Sequence, residues 1–90
     1  MQVMELSQFS DYSLRVMMFA GLSDRLVSVP EIAKTYQISQ HHLVKIVHHL
    51  SKHEYLKTYR GRSGGFRLAR DPSSFTVGDI IRTTENLALV

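Results

Sequence analysis

Residues 28–53 of this 90-residue chain read as two helices with almost nothing between them. Ser28-Val29-Pro30-Glu31 is a capping box: Ser28 at the N-cap, Glu31 three residues on, and Pro30 in the first turn, where a missing N–H costs nothing. The spacing predicts a short helix through Ile32, Ala33 and Tyr36. Gln37-Ile38 is too short for anything but a turn, and Ser39 caps a second helix running to about His53. Two helices joined this tightly, the second basic and the first not, form the helix-turn-helix pattern.

A helical wheel sharpens that reading. At ~100° per residue, Leu43, Ile46, Val47 and Leu50 fall within about 100° of one another, a single apolar stripe. The opposite face, roughly 60° wide, carries His41, Lys45, His48 and Lys52. All four can donate hydrogen bonds and none is acidic, whereas a merely solvated face normally mixes signs. The bias extends beyond the helix. From His41 to Arg70 there are seven Lys and Arg (Lys45, Lys52, Lys57, Arg60, Arg62, Arg67, Arg70) against one acid, Glu54, a net +6. The remaining sixty residues hold four bases against seven acids, a net −3. A basic region on an otherwise acidic body is the mark of a phosphate-binding face.

The second half of the basic window predicts a hairpin. Tyr55 to Tyr59 alternates and is rich in β-formers, as is Phe66 to Leu68, where Phe66 and Leu68 should point inward and Arg67 outward. Between them, Arg60-Gly61-Arg62-Ser63-Gly64-Gly65 supplies glycines for the positive φ of a hairpin tip. Upstream, a helix is expected from about Ser10 to Leu22, with Ser10 or Asp11 as N-cap and Phe9 as a staple. Leu14, Met17, Met18 and Leu22 should face the core. Downstream, Asp71-Pro72 ends the hairpin and Thr76-Val77-Gly78-Asp79 caps a last helix holding Ile80 and Ile81. The fold class is mainly α with a small β-hairpin, a winged helix-turn-helix. It is one domain over 1–90, with the helix-turn-helix at about 28–53 and the wing at about 55–69.

Other chemistries find little support. The glycines are not a phosphate-cradling P-loop, because β-formers rather than a helix follow them and no Lys-Ser/Thr pair ends the loop. His42, His49 and His53 form a second stripe, and His49 and His53 have the i, i+4 spacing that can share a metal. No carboxylate or cysteine completes that set from the helix, so solvated or phosphate-facing histidines account for it. Ser10, Asp11 and a histidine form a triad only on paper, since the serines occupy cap positions and no oxyanion-hole motif accompanies them. An enzyme is not expected. There is no cysteine and no apolar run near the ~20 residues of a membrane span, so a cytoplasmic protein is expected.

The chain resembles a known family. Phe9-Ser10-Asp11-Tyr12-Ser13-Leu14-Arg15, Val44-Lys45-Ile46-Val47 before Leu50-Ser51, and Arg60-Gly61-Arg62-Ser63-Gly64-Gly65-Phe66-Arg67-Leu68 are similar, in order and spacing, to the Rrf-two family of bacterial winged-helix regulators. Within it they look nearest the nitric-oxide-sensitive repressor branch. The resemblance implies a transcriptional repressor whose recognition helix enters the major groove of operator DNA while the wing touches the neighbouring minor groove. It places Gln40, His41, His42 and Lys45 nearest base edges and Arg60, Arg62, Ser63, Gly64 and Gly65 in the wing contact. His48, Lys52 and Arg67, with the cap serines Ser28 and Ser39, complete the candidate DNA-binding set.

The resemblance also implies nitrosative-stress sensing through an iron–sulfur cluster held by three cysteines after the last short helix. In the nitric-oxide branch an acid in the opening motif, matched by Asp11, can be a fourth ligand. Without cysteine no cluster is expected on this chain, and Asp11 by itself reads as a helix N-cap. The family's sensor loop and its long dimer helix are expected to be absent: a truncated chain, a gene fragment and a natural short form fit equally. A homodimer is expected for full-length members and weak or absent association here. A winged-helix protein-interaction module and an inert fragment remain alternatives, the apolar tail Leu87 to Val90 being available to a partner.

Overall fold

The computed structural model describes residues 7–62 and 64–88. Helix α1 spans Gln8–Ser23, α2 Val29–Tyr36, α3 Gln40–Lys52 and α4 Val77–Ala88. Strands β1 (Leu56–Tyr59) and β2 (Gly65–Leu68) form an antiparallel hairpin, and a single 3₁₀ turn, Pro72–Ser74, leads into α4. This is the four-helix, one-hairpin order expected of a winged helix-turn-helix. Ser63 and the tail Leu89 to Val90, named above as candidate contacts, lie outside the described residues, as do the side chains of Leu87 and Ala88.

The helix-turn-helix forms as its caps dictate. The Ser28 hydroxyl accepts from the Glu31 N–H at 3.3 Å, and the Glu31 carboxylate accepts from the Ser28 N–H at 3.2 Å. Gln37 adopts φ +58° and turns the chain, Ile38 tucks into the core, and the Ser39 hydroxyl accepts from the His41 N–H at 3.2 Å. Leu43, Ile46, Val47 and Leu50 are all buried, joined by Val16, Met17, Ala20, Ile32, Leu56, Phe66 and Ile80.

Helix α1 departs from expectation. Its N-cap is Ser7, whose hydroxyl accepts from the Ser10 N–H at 3.1 Å, so neither Ser10 nor Asp11 caps it and Phe9 lies inside the helix. Ser10 is instead fully buried against α4, its hydroxyl 2.5 Å from that of Thr84, which donates on to the Ile80 carbonyl at 3.1 Å. The core-facing stripe runs through Ser10, Ser13, Val16, Met17 and Ala20; Met18 and Leu22 are exposed. Two small serines, Ser10 and Ser13, lie on the buried face, and Ser10 meets Thr84 of α4, so that face is rotated away from the most apolar one.

A third segment braces the wing. Val27 bridges Phe66 through two backbone hydrogen bonds, Val27 N–H to Phe66 O at 2.9 Å and Phe66 N–H to Val27 O at 2.8 Å. This single-residue pairing ties the α1–α2 connection to β2 and fixes the hairpin against the helices.

Candidate nucleic-acid interface

Burying Leu43, Ile46, Val47 and Leu50 leaves the other side of α3 in solvent. There the structure exposes His41, Lys45, His48 and Lys52 together, with Gln40, His42 and the cap Ser39 exposed at the helix's first turn. Ser28 is half-buried and its hydroxyl is committed to the capping box. Arg60 and Arg62 are exposed in the loop between the strands, where the Gly64 N–H donates to the Gly61 carbonyl at 3.0 Å and closes a turn.

The hairpin register brings together what the sequence could not. Lys57 stands directly opposite Arg67, a like-charge pair that costs stability in an antiparallel ladder. Both cations lie over the ring of Tyr59, at 5.5 and 5.3 Å from its centroid, which offsets part of the repulsion. Lys57 was missing from the sequence-derived candidates. Strict alternation from Tyr55 to Tyr59 puts it on Tyr59's face, but only the register Lys57↔Arg67 completes the cluster.

Ion pairing takes up the arginines outside the basic window but not Lys34. Outside the basic window, Arg15 pairs with Asp11 at 3.3 Å, Arg25 with Glu31, and Arg82 with Asp79. Among the described residues, none of the seven window bases makes a salt bridge. Arg70 alone is committed elsewhere: its guanidinium donates to the carbonyls of Glu54 (3.0 Å) and His53 (3.1 Å) at the end of α3 and stacks over Tyr55. That leaves Lys45, Lys52, Lys57, Arg60, Arg62 and Arg67 as cations without acidic partners.

Four residues singled out in the sequence have other roles. His49 is half-buried, not phosphate-facing; its Nε2 lies 3.2 Å from both the carbonyl and the hydroxyl of Thr83, and its ring packs edge-on to Phe9. Burial, then the neighbouring His53, pushes its pKa below the ordinary value. Gly65 belongs to β2, where a Cβ would meet the Val27 carbonyl oxygen at 2.4 Å; at Gly64 it would meet that of Tyr59 at 2.4 Å. Close backbone approach is reason enough for both glycines. Asp11 is not a cap: its carboxylate is paired with Arg15 at 3.3 Å, and these ninety residues contain no cysteine to join it around a cluster. They do not fit an iron–sulfur group.

The family model for Rrf2, described as an iron-dependent transcriptional regulator, matches residues 6–90. The chain belongs to the Rrf2 family. The HTH-type transcriptional regulator NsrR of Oceanobacillus iheyensis is 51% identical over 85 residues, 92% of this chain and 58% of that relative. NsrR of Bacillus subtilis is 42% identical over 85 residues, again 92% and 58%. Among solved structures, CymR, the global cysteine regulator of B. subtilis, superimposes with a TM-score of 0.86 at 32% identity, covering 92% of this chain and 66% of CymR. T. potens IscR gives 0.81 at 32% identity, covering 89% and 60%. The wing and helix-turn-helix are therefore those of Rrf2 regulators, and the sequence relatives named here are transcriptional regulators rather than enzymes. The chain spans about three-fifths of the length of these NsrR relatives.

Proposed function

We propose that this Rrf2 chain is the duplex-reading part of a bacterial transcriptional repressor of the NsrR type. Helix α3 enters the major groove, and the wing follows the adjacent backbone and minor groove. His41, Lys45 and the first-turn residues Gln40 and His42 face base edges, while Lys52, Arg60, Arg62, Arg67 and Lys57 neutralise phosphates. One observation carries this reading: six cations of α3 and the wing, all inside the net +6 window, have no acidic partner among the described residues, whereas Arg15, Arg25 and Arg82 are each paired with a carboxylate and outside the window only Lys34 is not. Unpaired like charges destabilise a small domain by self-repulsion, and a polyanionic partner relieves it.

Two copies in a full-length protein would read two half-sites about one helical turn apart. One copy of this chain has half the contacts, so its affinity at physiological salt is micromolar or weaker, with only the base preference that a single half-site supplies. This part needs no cluster to bind, and nitric-oxide sensing through iron and sulfur belongs to other residues of such a regulator. The same reading puts the protein with DNA in the cytoplasm.

The test is a fluorescence-anisotropy titration of labelled duplex, random and palindromic, at several salt concentrations. Affinity should fall steeply with salt, by about 0.9 in log–log slope per phosphate neutralised, and should be unchanged by iron chelators. A folded chain that binds neither duplex at low salt would refute the proposal and leave the face to a protein partner.

A further inference from the structure

Four large apolar side chains are exposed among the described residues: Met18, Leu22, Val77 and Val44. The first three line one apolar groove between α1, the 3₁₀ turn and α4. Val44 stands apart from them. It lies on α3 at 56% exposure, and on the helical wheel it sits about 40° from His48 and about 60° from His41. The helix does not call for valine here, since β-branched side chains lose rotamer freedom in a helix and rank below the unbranched ones. The core does not call for it either, because the buried stripe is complete without it.

An exposed apolar group is ordinary on a protein surface, but on a helix face otherwise made of hydrogen-bond donors and turned toward DNA it gains free energy only from an apolar partner. In the major groove there is one such group. Guanine, cytosine and adenine present only donors and acceptors at their edges, while thymine also presents its C5 methyl.

We propose that Val44 is a specificity-determining residue that selects thymine by packing against its C5 methyl, beside the bases read by His41 and Lys45. The inference rests on the DNA-reading function proposed above. It gives the operator half-site a thymine whose methyl, not its hydrogen-bonding edge, is what the protein requires.

The experiment enriches duplexes from a random pool with the ninety-residue chain. The enriched duplex is then resynthesised with deoxyuridine replacing one thymine at a time, which deletes the methyl and keeps the base pair. At one position the wild-type chain should bind about fourfold more weakly, the factor for a single methyl-sized group left in water. Val44→Ala, whose side chain is one carbon shorter and draws back from the base, should lose much of the difference there, while Val44→Thr, which keeps a γ-methyl, should retain most of it. Circular dichroism checks that each variant is folded. Indifference of the wild type to every replacement, or a penalty that persists unchanged in Val44→Ala, overturns the inference. Salt-dependent binding with no sequence enriched also overturns it while leaving the phosphate-contacting surface standing. Absence of any salt-dependent binding removes the DNA reading itself.

Discussion

Replacing Gly65 with Ala separates a glycine the fold requires from one the DNA requires. Gly65 has φ +153°, and an added Cβ would lie 2.4 Å from the Val27 carbonyl oxygen and 3.1 Å from its carbon. Both are backbone atoms and neither can swing aside. The oxygen is already engaged, accepting from the Phe66 N–H at 2.8 Å, and Val27 N–H donates to Phe66 O at 2.9 Å. Alanine must therefore push β2 away from Val27. Holding a non-glycine residue in this φ region costs about 1–3 kcal/mol, and the two bridging hydrogen bonds are worth about 1 kcal/mol each. The expected loss is roughly 3–5 kcal/mol from the ~5–14 kcal/mol typical of a domain this size. Urea unfolding followed by circular dichroism should show the midpoint fall at unchanged slope, and Tm should drop by more than about 10 °C. Gly61→Ala is the control: φ is +111° but nothing lies within 4 Å, so only the conformational cost applies. Duplex affinity, corrected for the folded fraction, should fall by no more than the phosphate contacts of Lys57 and Arg67 on the displaced hairpin supply, a change in salt slope of about two at most. A stability loss below about 1 kcal/mol, or one no larger than that of Gly61→Ala, would refute the close-approach reasoning.

On DNA, Lys45→Ala and His41→Ala should relax base preference, whereas Arg60→Ala and Arg62→Ala should weaken all duplexes and flatten the salt slope by roughly one each; equal effects of both pairs on enriched and random duplex would erase that division. His49 has its folded pKa depressed below the ordinary 6.5 by burial. As pH falls through about 6.5 the unfolded chain therefore takes up the proton first, and stability is lost from there down to the folded pKa. His49→Asn should flatten this acid-side slope in urea titrations at pH 5 to 8, and an unaltered slope would count against it. Thr84→Val leaves the buried Ser10 hydroxyl without its partner and should cost about 1–3 kcal/mol, while adding Ser10→Ala should restore much of the loss; additive losses in that double-mutant cycle would dismiss the pair as a coupled unit.

Much of the candidate site was legible in the chain because its signals are local. Capping depends on a side chain reaching its own helix three residues away, so Ser28, Glu31 and Ser39 announce α2 and α3 wherever they sit. The strict 3.6-residue stripe of α3 then separates buried Leu43, Ile46, Val47 and Leu50 from exposed His41, Lys45, His48 and Lys52 without knowledge of the partner. Helix α1 was misread for the complementary reason. Its apolar residues exceed what one face can bury, and the choice between Met18 and Leu22 on one side and Ser10 and Ser13 on the other belongs to α4. His49 and His48 look alike in sequence, yet one meets Thr83 and the other meets solvent.

The sequence alone determines the helix-turn-helix, the basic face and the hairpin, because each follows from interactions a few residues long or from composition within one window. Tertiary structure decides which residues of that window are available to a ligand. Arg70 is withdrawn to the end of α3, Gly64 and Gly65 to backbone packing and His49 to α4, while Lys57 joins Arg67 through the strand register. The physical reason is the range of the contacts: those four outcomes depend on backbone and side chains brought together by closing the chain, and no local pattern encodes which partner will arrive.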